Sequence, residues 1–341
     1  GPNSTFAGRG SAGGAVNVIT KQATLDYDFT RISSSVGTDS HYRLMMDANK
    51  AINDKFALRV NALVGSEDVP DRAPANRKRK GLALSGLWEV NSDLSVVLDY
   101  YGFRGKDNQP DLGSYLVGTA PARYPAGNVP VYAQTNDFLK SDVDTLTARI
   151  NYRLAPDLKL TSLTRYGTSS NGYATTGASS RTAFNPDGSS YTTGGIDGGH
   201  TGWQEVHYFA HQSNLRWDKE LGGLKHEFIA GFEYTDHMVK SGNYKVSNAN
   251  GFNCRTSATA AANNAYCFTN GAGASLGDPT SLAGRSYSRN GWSGDWQVRT
   301  YALSLMDTVN LTDQWTVFGG VRADHYKISY LTRNNATNVQ T

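Results

Sequence analysis

Four stretches of this chain concentrate the side chains that could bind a ligand. Arg72, Arg77, Lys78, Arg79 and Lys80 form a basic run, followed by Tyr115, Arg123, Tyr124, Tyr132 and Phe138. Tyr173, Arg181, Phe184 and Tyr191 make the third group, and Tyr244, Phe252, Tyr266, Phe268, Arg285, Tyr287, Arg289 and Trp292 the fourth. Cations interleaved with aromatic rings suit an anionic, aromatic ligand, through charge and stacking. The bland reading beside it is a solvated basic face and tyrosines that pack their own loops. Catalytic chemistry finds no support. The His residues lack metal spacing, and His207 and His211, sharing one strand face, would stand about 13 Å apart at strand rise. No Ser/His/Asp, paired-carboxylate or Cys/His arrangement stands out, so no catalytic residue, no metal site and no cofactor is assigned. Cys254 and Cys267 are the only 2 cysteines, and no His lies between them. A disulfide fits an oxidising compartment better than a metal site, and closing that loop would contribute on the order of 3 kcal/mol in the chain-entropy model.

The elements that must position these groups read as strands. From about residue 27 apolar and polar residues alternate in segments bounded by turn residues. Phe56, Leu58, Val60, Ala62 and Val64 face away from Arg59, Asn61 and Leu63; Leu82, Leu84, Gly86, Trp88 and Val90 face away from Ala83, Ser85 and Leu87. The same pattern recurs around Leu98, Leu146, Phe228 and Val317, for about eleven strands in all. Asn53-Asp54, Asn91 to Asp93, Ala155 to Asp157, Leu221 to Gly223 and Thr312 to Gln314 read as tight turns. Between them lie long polar excursions, about Glu67 to Lys80, Lys106 to Lys140, Ser169 to Gly202 and Lys240 to Gly294. Short turns at one end and long loops at the other are the pattern of an outer-membrane barrel.

Composition agrees. With 38% hydrophobic residues and a mean hydropathy of −0.49, no stretch approaches the apolar length of a membrane helix. A barrel survives this test, because its lipid face takes only every second residue. A net charge of +3 gives no whole-chain field for nucleic acid. A decorated sandwich or propeller is the soluble alternative, and no repeat of propeller period is visible.

The first 22 residues do not follow the strand pattern. Gly8 to Gly13 has G-x-G-x-x-G spacing, but the short apolar run Ala15 to Thr20 follows it where a phosphate site needs a helix N-terminus. Gly1-Pro2, Phe6-Ala7-Gly8, Gly13-Gly14, Asn17 and Thr20-Lys21 instead resemble the motif that ends the plug domain of TonB-dependent outer-membrane receptors, in the siderophore-receptor branch. The Arg usual before the Gly-Pro is missing, and Gly319 to Asp324 resembles a recurrent barrel-strand pattern of the same family.

The resemblance implies an all-β chain: residues 1–24 as the end of the plug, with Gly8, Gly13, Gly14, Asn17 and Lys21 as its motif, and residues 25–341 as the N-terminal half of a transmembrane antiparallel barrel. Such barrels have roughly 22 strands around a plugged lumen, so further strands are expected in the parent protein. It also implies TonB-coupled uptake of a ferric siderophore, with the catecholate class as the finer expectation, at the Gram-negative outer membrane without chemistry on the substrate. Expected partners are the ferric siderophore, the TonB complex and outer-membrane lipid with lipopolysaccharide. Other nutrients (cobalamin, haem or a glycan) and a passive porin are the alternatives. Candidate substrate contacts in the outer loops are Arg77, Arg79, Tyr115, Arg123, Tyr124, Tyr132, Arg181, Tyr287, Arg289 and Trp292. Arg59, Arg149, Glu227, Glu233, Arg322 and Asp324 are expected to face inward and pair; Trp88, Tyr100, Tyr152, Trp217 and Trp315 read as girdle aromatics.

Overall fold

The computed structural model describes residues 20–118, 120–334 and 339–340. Gly8, Gly13, Gly14 and Asn17 of the plug motif lie outside the described residues. The strands are β1 (Phe29–Val36), β2 (Tyr42–Asn53), β3 (Phe56–Asp68), β4 (Asn76–Glu89), β5 (Leu94–Asn108), β6 (Leu116–Val117), β7 (Tyr124–Pro125), β8 (Phe138–Ala155), β9 (Leu158–Phe184), β10 (Ser190–Leu221), β11 (Leu224–Asn248), β12 (Tyr266–Cys267), β13 (Arg285–Asn310), β14 (Thr316–Asn334) and β15 (Val339–Gln340). One antiparallel sheet runs β1-β2-β3-β4-β5-β8-β9-β10-β11-β13-β14-β15, with β12 added beside β10 and a separate β6-β7 pair. Each long strand pairs with the next long strand in sequence, so the wall is an up-and-down meander.

Strand alternation sorts the wall into two chemically distinct faces. Register places Arg59 opposite Asn49 and Ser85, Ser85 opposite Asp99, and Asp99 opposite Thr147, so one face is polar from β2 to β8. The other face carries Leu58, Leu82, Leu84, Leu98, Leu146 and Ile150, all exposed although apolar. Farther along, Leu215, Phe232, Leu303, Leu305 and Val321 continue it. A barrel turns such a band to lipid and its polar face to the lumen. Trp88, Tyr152, Trp217 and Trp315 flank the tight turns on the apolar face, as expected for a girdle. Tyr100 departs from that expectation: it pairs opposite Leu84 in mid-strand, and its hydroxyl donates to Asp144 at 2.7 Å.

One of the expected loops is largely strand, and another is shortened by strand at both ends. β9 and β10 run through most of Ser169 to Gly202, leaving only residues 185–189 as the turn between them. β11 extends to Asn248 and β13 begins at Arg285, so the fourth excursion shrinks to residues 249–284. The reason is physical: above the lipid both faces of these strands meet polar surroundings, and Ser, Thr and Gly give no apolar contrast for a period-2 signal. The true loops, residues 109–137 and 249–284, fold onto β9 and β10 as a cap with its own core of Tyr132, Ile196, Tyr266, Phe268, Leu282 and Ala283. Gly194 is required there, because a Cβ would collide with the Tyr115 hydroxyl and stand 2.7 Å from the Phe268 ring.

Candidate functional site

Three arrangements on the polar face and in the cap could serve a ligand or a moving part. The first is the junction where residues 20–24 lie along the wall. Lys21 Nζ donates to Asp47 at 2.8 Å, and Arg59 grips the same carboxylate through Nε and Nη2, both at 2.9 Å. Arg59 also donates to the Gln22 carbonyl at 3.0 Å, while Gln22 donates to Asp99 at 3.2 Å. The Ala23 amide donates to Ser85 Oγ and the Thr24 amide to Asn49 Oδ1, each at 3.0 Å. Every wall group used here sits on the polar face, and Asp47, Asn49 and Ser85 are buried by the contact.

The second arrangement lies higher on the same face, toward the long-loop end. Arg43, Arg77 and Arg79 line an open groove of ≈ 560 Å³ with Phe103, Glu67 and Asp107. Arg79 donates to Asp107 at 2.5 Å and Arg77 to Glu67 at 3.4 Å, whereas Arg43 has no ion pair among the described residues. Leu63 forms its floor, and register puts Phe103 opposite Gly81 and Val143. Three guanidinium groups against two carboxylates beside an aromatic ring leave surplus positive charge and a stacking surface facing the lumen.

The third arrangement is the cap's polar interior. Asp137 is buried and accepts from the amides of Gln134 and Thr176 at 3.0 and 2.8 Å, from the Thr176 hydroxyl at 3.2 Å and from the Tyr287 hydroxyl. Burial pushes its carboxyl above the usual range despite these donors. Arg285 donates to Thr176 Oγ1 at 2.8 Å, tying β13 to β9. Burial likewise pushes the Tyr132 hydroxyl up to about 12, and that hydroxyl donates to the Gly113 carbonyl at 2.9 Å. Cys254 and Cys267 are disulfide-bonded with a Cα separation of 5.9 Å, which pins β12 to its loop.

The candidate contacts therefore scatter. Arg77 and Arg79 sit on β4 in the groove, on strand rather than loop. Tyr115 packs against the cap core and Tyr132 belongs to it, so Tyr132 is a structural residue. Arg181, on β9, pairs with Asp197 at 2.6 Å. Tyr287, Arg289 and Trp292 are on β13: Tyr287 serves Asp137, Arg289 lies 3.8 Å over the Trp203 ring and 2.7 Å from Glu205, and the Arg333 guanidinium stands 6.0 Å from the Trp292 ring. Arg123 and Tyr124 are exposed at the tip of the β6-β7 pair. Sequence reasoning missed Arg43, Phe103 and Asp107, although all three follow from extending the wall's alternation upward.

The expected inward pairs form in part. Arg322 pairs with Glu233 at 2.6 Å and Asp324 at 3.0 Å, and Glu227 pairs with Arg216 at 2.7 Å. Arg149 makes no ion pair among the described residues, and no group of three metal-ligating side chains occurs among them.

Residues 86–341 match the family described as TonB dependent receptor-like, beta-barrel. The chain is 28% identical over 341 residues to the probable TonB-dependent receptor BfrD of Bordetella pertussis, covering 96% of this chain and 44% of that protein. It is 28% identical to the probable TonB-dependent siderophore receptor PiuA of Acinetobacter baumannii, again over 96% of this chain and 44% of that one. The crystal structure of that PiuA superposes with a TM-score of 0.77 at 23% identity, covering 99% of this chain and 48% of PiuA. The closed form of the ferric-catecholate import receptor Fiu from Escherichia coli K12 superposes with a TM-score of 0.76 at 22% identity, covering 97% of this chain and 45% of Fiu. The chain thus spans less than half the length of these relatives. With its two-faced meander, its tight turns at one end and its long connections at the other, this chain belongs to the TonB-dependent receptor β-barrel family of the Gram-negative outer membrane.

Proposed function

We propose that the whole receptor takes up a ferric siderophore by TonB-coupled transport, with a catecholate-type chelate as the preferred cargo and no chemistry performed on it. The observation that carries this reading is the lumen-facing groove of Arg43, Arg77 and Arg79 beside Phe103. A tris-catecholate iron complex is anionic and presents aromatic edges, so guanidinium groups and a ring at the mouth of the lumen match it in charge and shape. The names of PiuA and Fiu support the same direction. Iron enters as part of the cargo, and no resident cofactor is needed.

In this reading residues 1–24 are the end of the plug. The bonds from Lys21, Gln22, Ala23 and Thr24 to β2, β4 and β5, with the one that Arg59 of β3 donates to the Gln22 carbonyl, then fasten that end to the wall. A pull transmitted from the TonB side meets an anchored segment and reorganises the plug ahead of it, opening a path past the groove. The TonB complex is accordingly the energy-coupling partner.

Quenching of intrinsic Trp fluorescence in the detergent-solubilised receptor tests this reading, with a ferric catecholate, a ferric hydroxamate and cobalamin as ligands. The catecholate should bind most tightly, and Arg77→Gln with Arg79→Gln should weaken it about tenfold through loss of two charge contacts. Quenching by cobalamin alone, with no response to either iron chelate, would sink the siderophore assignment.

A further inference from the structure

The arginine ion pairs come in two grades. Where a guanidinium fastens one element to another, it grips with its fork: Arg59 binds Asp47 through Nε and Nη2, Arg72 binds Asp111 through the same two nitrogens, and Arg322 binds Glu233 through Nη1 and Nη2. In the groove the grip is single. Arg77 meets Glu67 through Nη1 alone at 3.4 Å, and Arg79 meets Asp107 through Nη1 alone, a nitrogen that also approaches the carbonyls of Lys78 and Lys106. The Nε and Nη2 groups of both arginines make no hydrogen bond among the described residues. Two planar forks are left open, with two carboxylates beside them as loosely held counter-ions.

Asp107 is also joined to the cap. It is the penultimate residue of β5, just before the chain leaves the wall. Gln109, next but one, has a φ of 47°, a left-handed conformation that a residue with a Cβ keeps only where its surroundings hold it. Its backbone amide donates to the Asp137 carbonyl at 2.8 Å and its side chain to the Ala133 carbonyl at 3.1 Å. Asp111 follows in the Arg72 fork, and Arg72 also donates to the Val129 carbonyl at 3.0 Å. Residues 107–111 are therefore tied to the groove through Asp107, to the far end of their own loop through Gln109, and to the β3-β4 turn through Asp111. The groove tie is the one an anion can take over. Glu67 differs, since it pairs otherwise with His41 at 3.4 Å and bonds to none of residues 109–137 among the described residues.

We propose that Asp107 is an internal stand-in for the anionic group of the cargo: it holds Arg79 in the empty receptor, gives way when a multiply charged chelate takes the open fork, and passes that displacement to the cap through Gln109 and Asp111. The proposal rests on reading the groove as the cargo site. Two negative groups on one guanidinium repel each other, so chelate and carboxylate compete for it. A trianionic tris-catecholate complex outbids a single carboxylate, whereas a neutral tris-hydroxamate complex has no charge with which to displace it. Asp107 thereby sets a charge threshold for cargo, and loss of its tie lets Gln109 leave its left-handed conformation.

Trp fluorescence quenching and amide hydrogen exchange of the whole receptor, wild type and Asp107→Asn, test the proposal with a ferric tris-catecholate and a neutral ferric tris-hydroxamate. Asp107→Asn should bind the catecholate up to about fivefold more tightly, the scale of a partly exposed charge pair, with no gain for the hydroxamate. Exchange at the Gln109 amide should rise when the catecholate binds the wild type, and in Asp107→Asn it should stand high without cargo. Glu67→Gln, which removes the other counter-ion, should also tighten catecholate binding yet keep the cargo-dependent rise at Gln109. Equal or weaker catecholate binding by Asp107→Asn overturns the proposal, since a carboxylate that only orients Arg79 would cost affinity when neutralised. So does a Gln109 amide that responds neither to cargo nor to the substitution. If no chelate binds the wild type, the siderophore reading itself falls and the stand-in role falls with it.

Discussion

The wall from β2 to β5 and the cap over β9 and β10 are stabilised by opposite means. In the wall the backbone ladder satisfies its own polar groups, and the side chains only choose a solvent: Leu58, Leu84 and Leu98 for lipid, Asp47, Ser85 and Asp99 for the lumen. In the cap, side chains must satisfy one another. Asp137, Gln134 and Thr176 are buried with their partners drawn from residues far apart in sequence, such as Tyr287 and the Pro279 carbonyl. A residue of the wall is therefore replaceable by anything that suits its face, whereas a residue of the cap is replaceable only by something that keeps its partners.

The largest effect should come from breaking the facing rule in the wall. Leu84 is 41% exposed on the apolar face, opposite Val60 and Tyr100. Leu84→Arg should destabilise the folded barrel by about 3 kcal/mol near mid-membrane. Ala83→Arg, one residue away on the lumen side, should cost well under half of that. Urea titrations of folding into lipid vesicles measure both, and equal costs for the pair would undo the assignment of the two faces.

A smaller, local effect is expected in the cap. Asp137→Ala leaves the Gln134 and Thr176 amides and the Tyr287 hydroxyl without their acceptor, a loss of about 2 kcal/mol that should stay within the cap. Hydrogen exchange should rise across residues 109–137 and 249–284 while the wall below keeps its protection. The same carboxyl fixes a pH dependence. Its folded pKa lies above its unfolded value because of burial, so the native cap holds the proton more tightly. The cap's stability is then greatest below the ordinary carboxylate range and falls as pH rises through the folded value. Asp137→Asn should flatten that slope, and a slope of opposite sign would show that the four donors outweigh desolvation.

The same contrast decides how much could be read in advance. Strand existence, alternation and the tight turns were legible because lipid on one side and water on the other impose an apolar period of two. The upper halves of β9, β10, β11 and β13 were not legible as strand, since Ser179, Thr182, Thr192 and Gly194 present no such contrast. The basic run shows a half-used signal. Carrying the alternation of Leu82 and Leu84 upward through residues 77–80 would have separated lumen-facing Arg77 and Arg79 from outward Lys78 and Lys80 without a structure. The partners of Asp137 and Arg285 carry no local signature, because they meet only when two loops close over β9.

The smallest effect probes the place where wall logic and partner logic meet, the junction of residues 20–24 with the lumen face. Lys21 is 62% exposed on its side chain, so its ion pair with Asp47 is largely screened. Lys21→Ala should cost only about 0.5 kcal/mol, because Asp47 keeps both bonds to Arg59. The segment itself is held by bonds that ignore the Lys21 side chain, namely the Ala23 amide to Ser85, the Thr24 amide to Asn49 and Arg59 to the Gln22 carbonyl. Hydrogen exchange at the Ala23 and Thr24 amides of the whole receptor is the sensitive measurement. Near-native protection in Lys21→Ala would locate the anchor in the wall's polar side chains reaching the segment's backbone, whereas loss of protection at both amides would show that the lysine holds the segment in place.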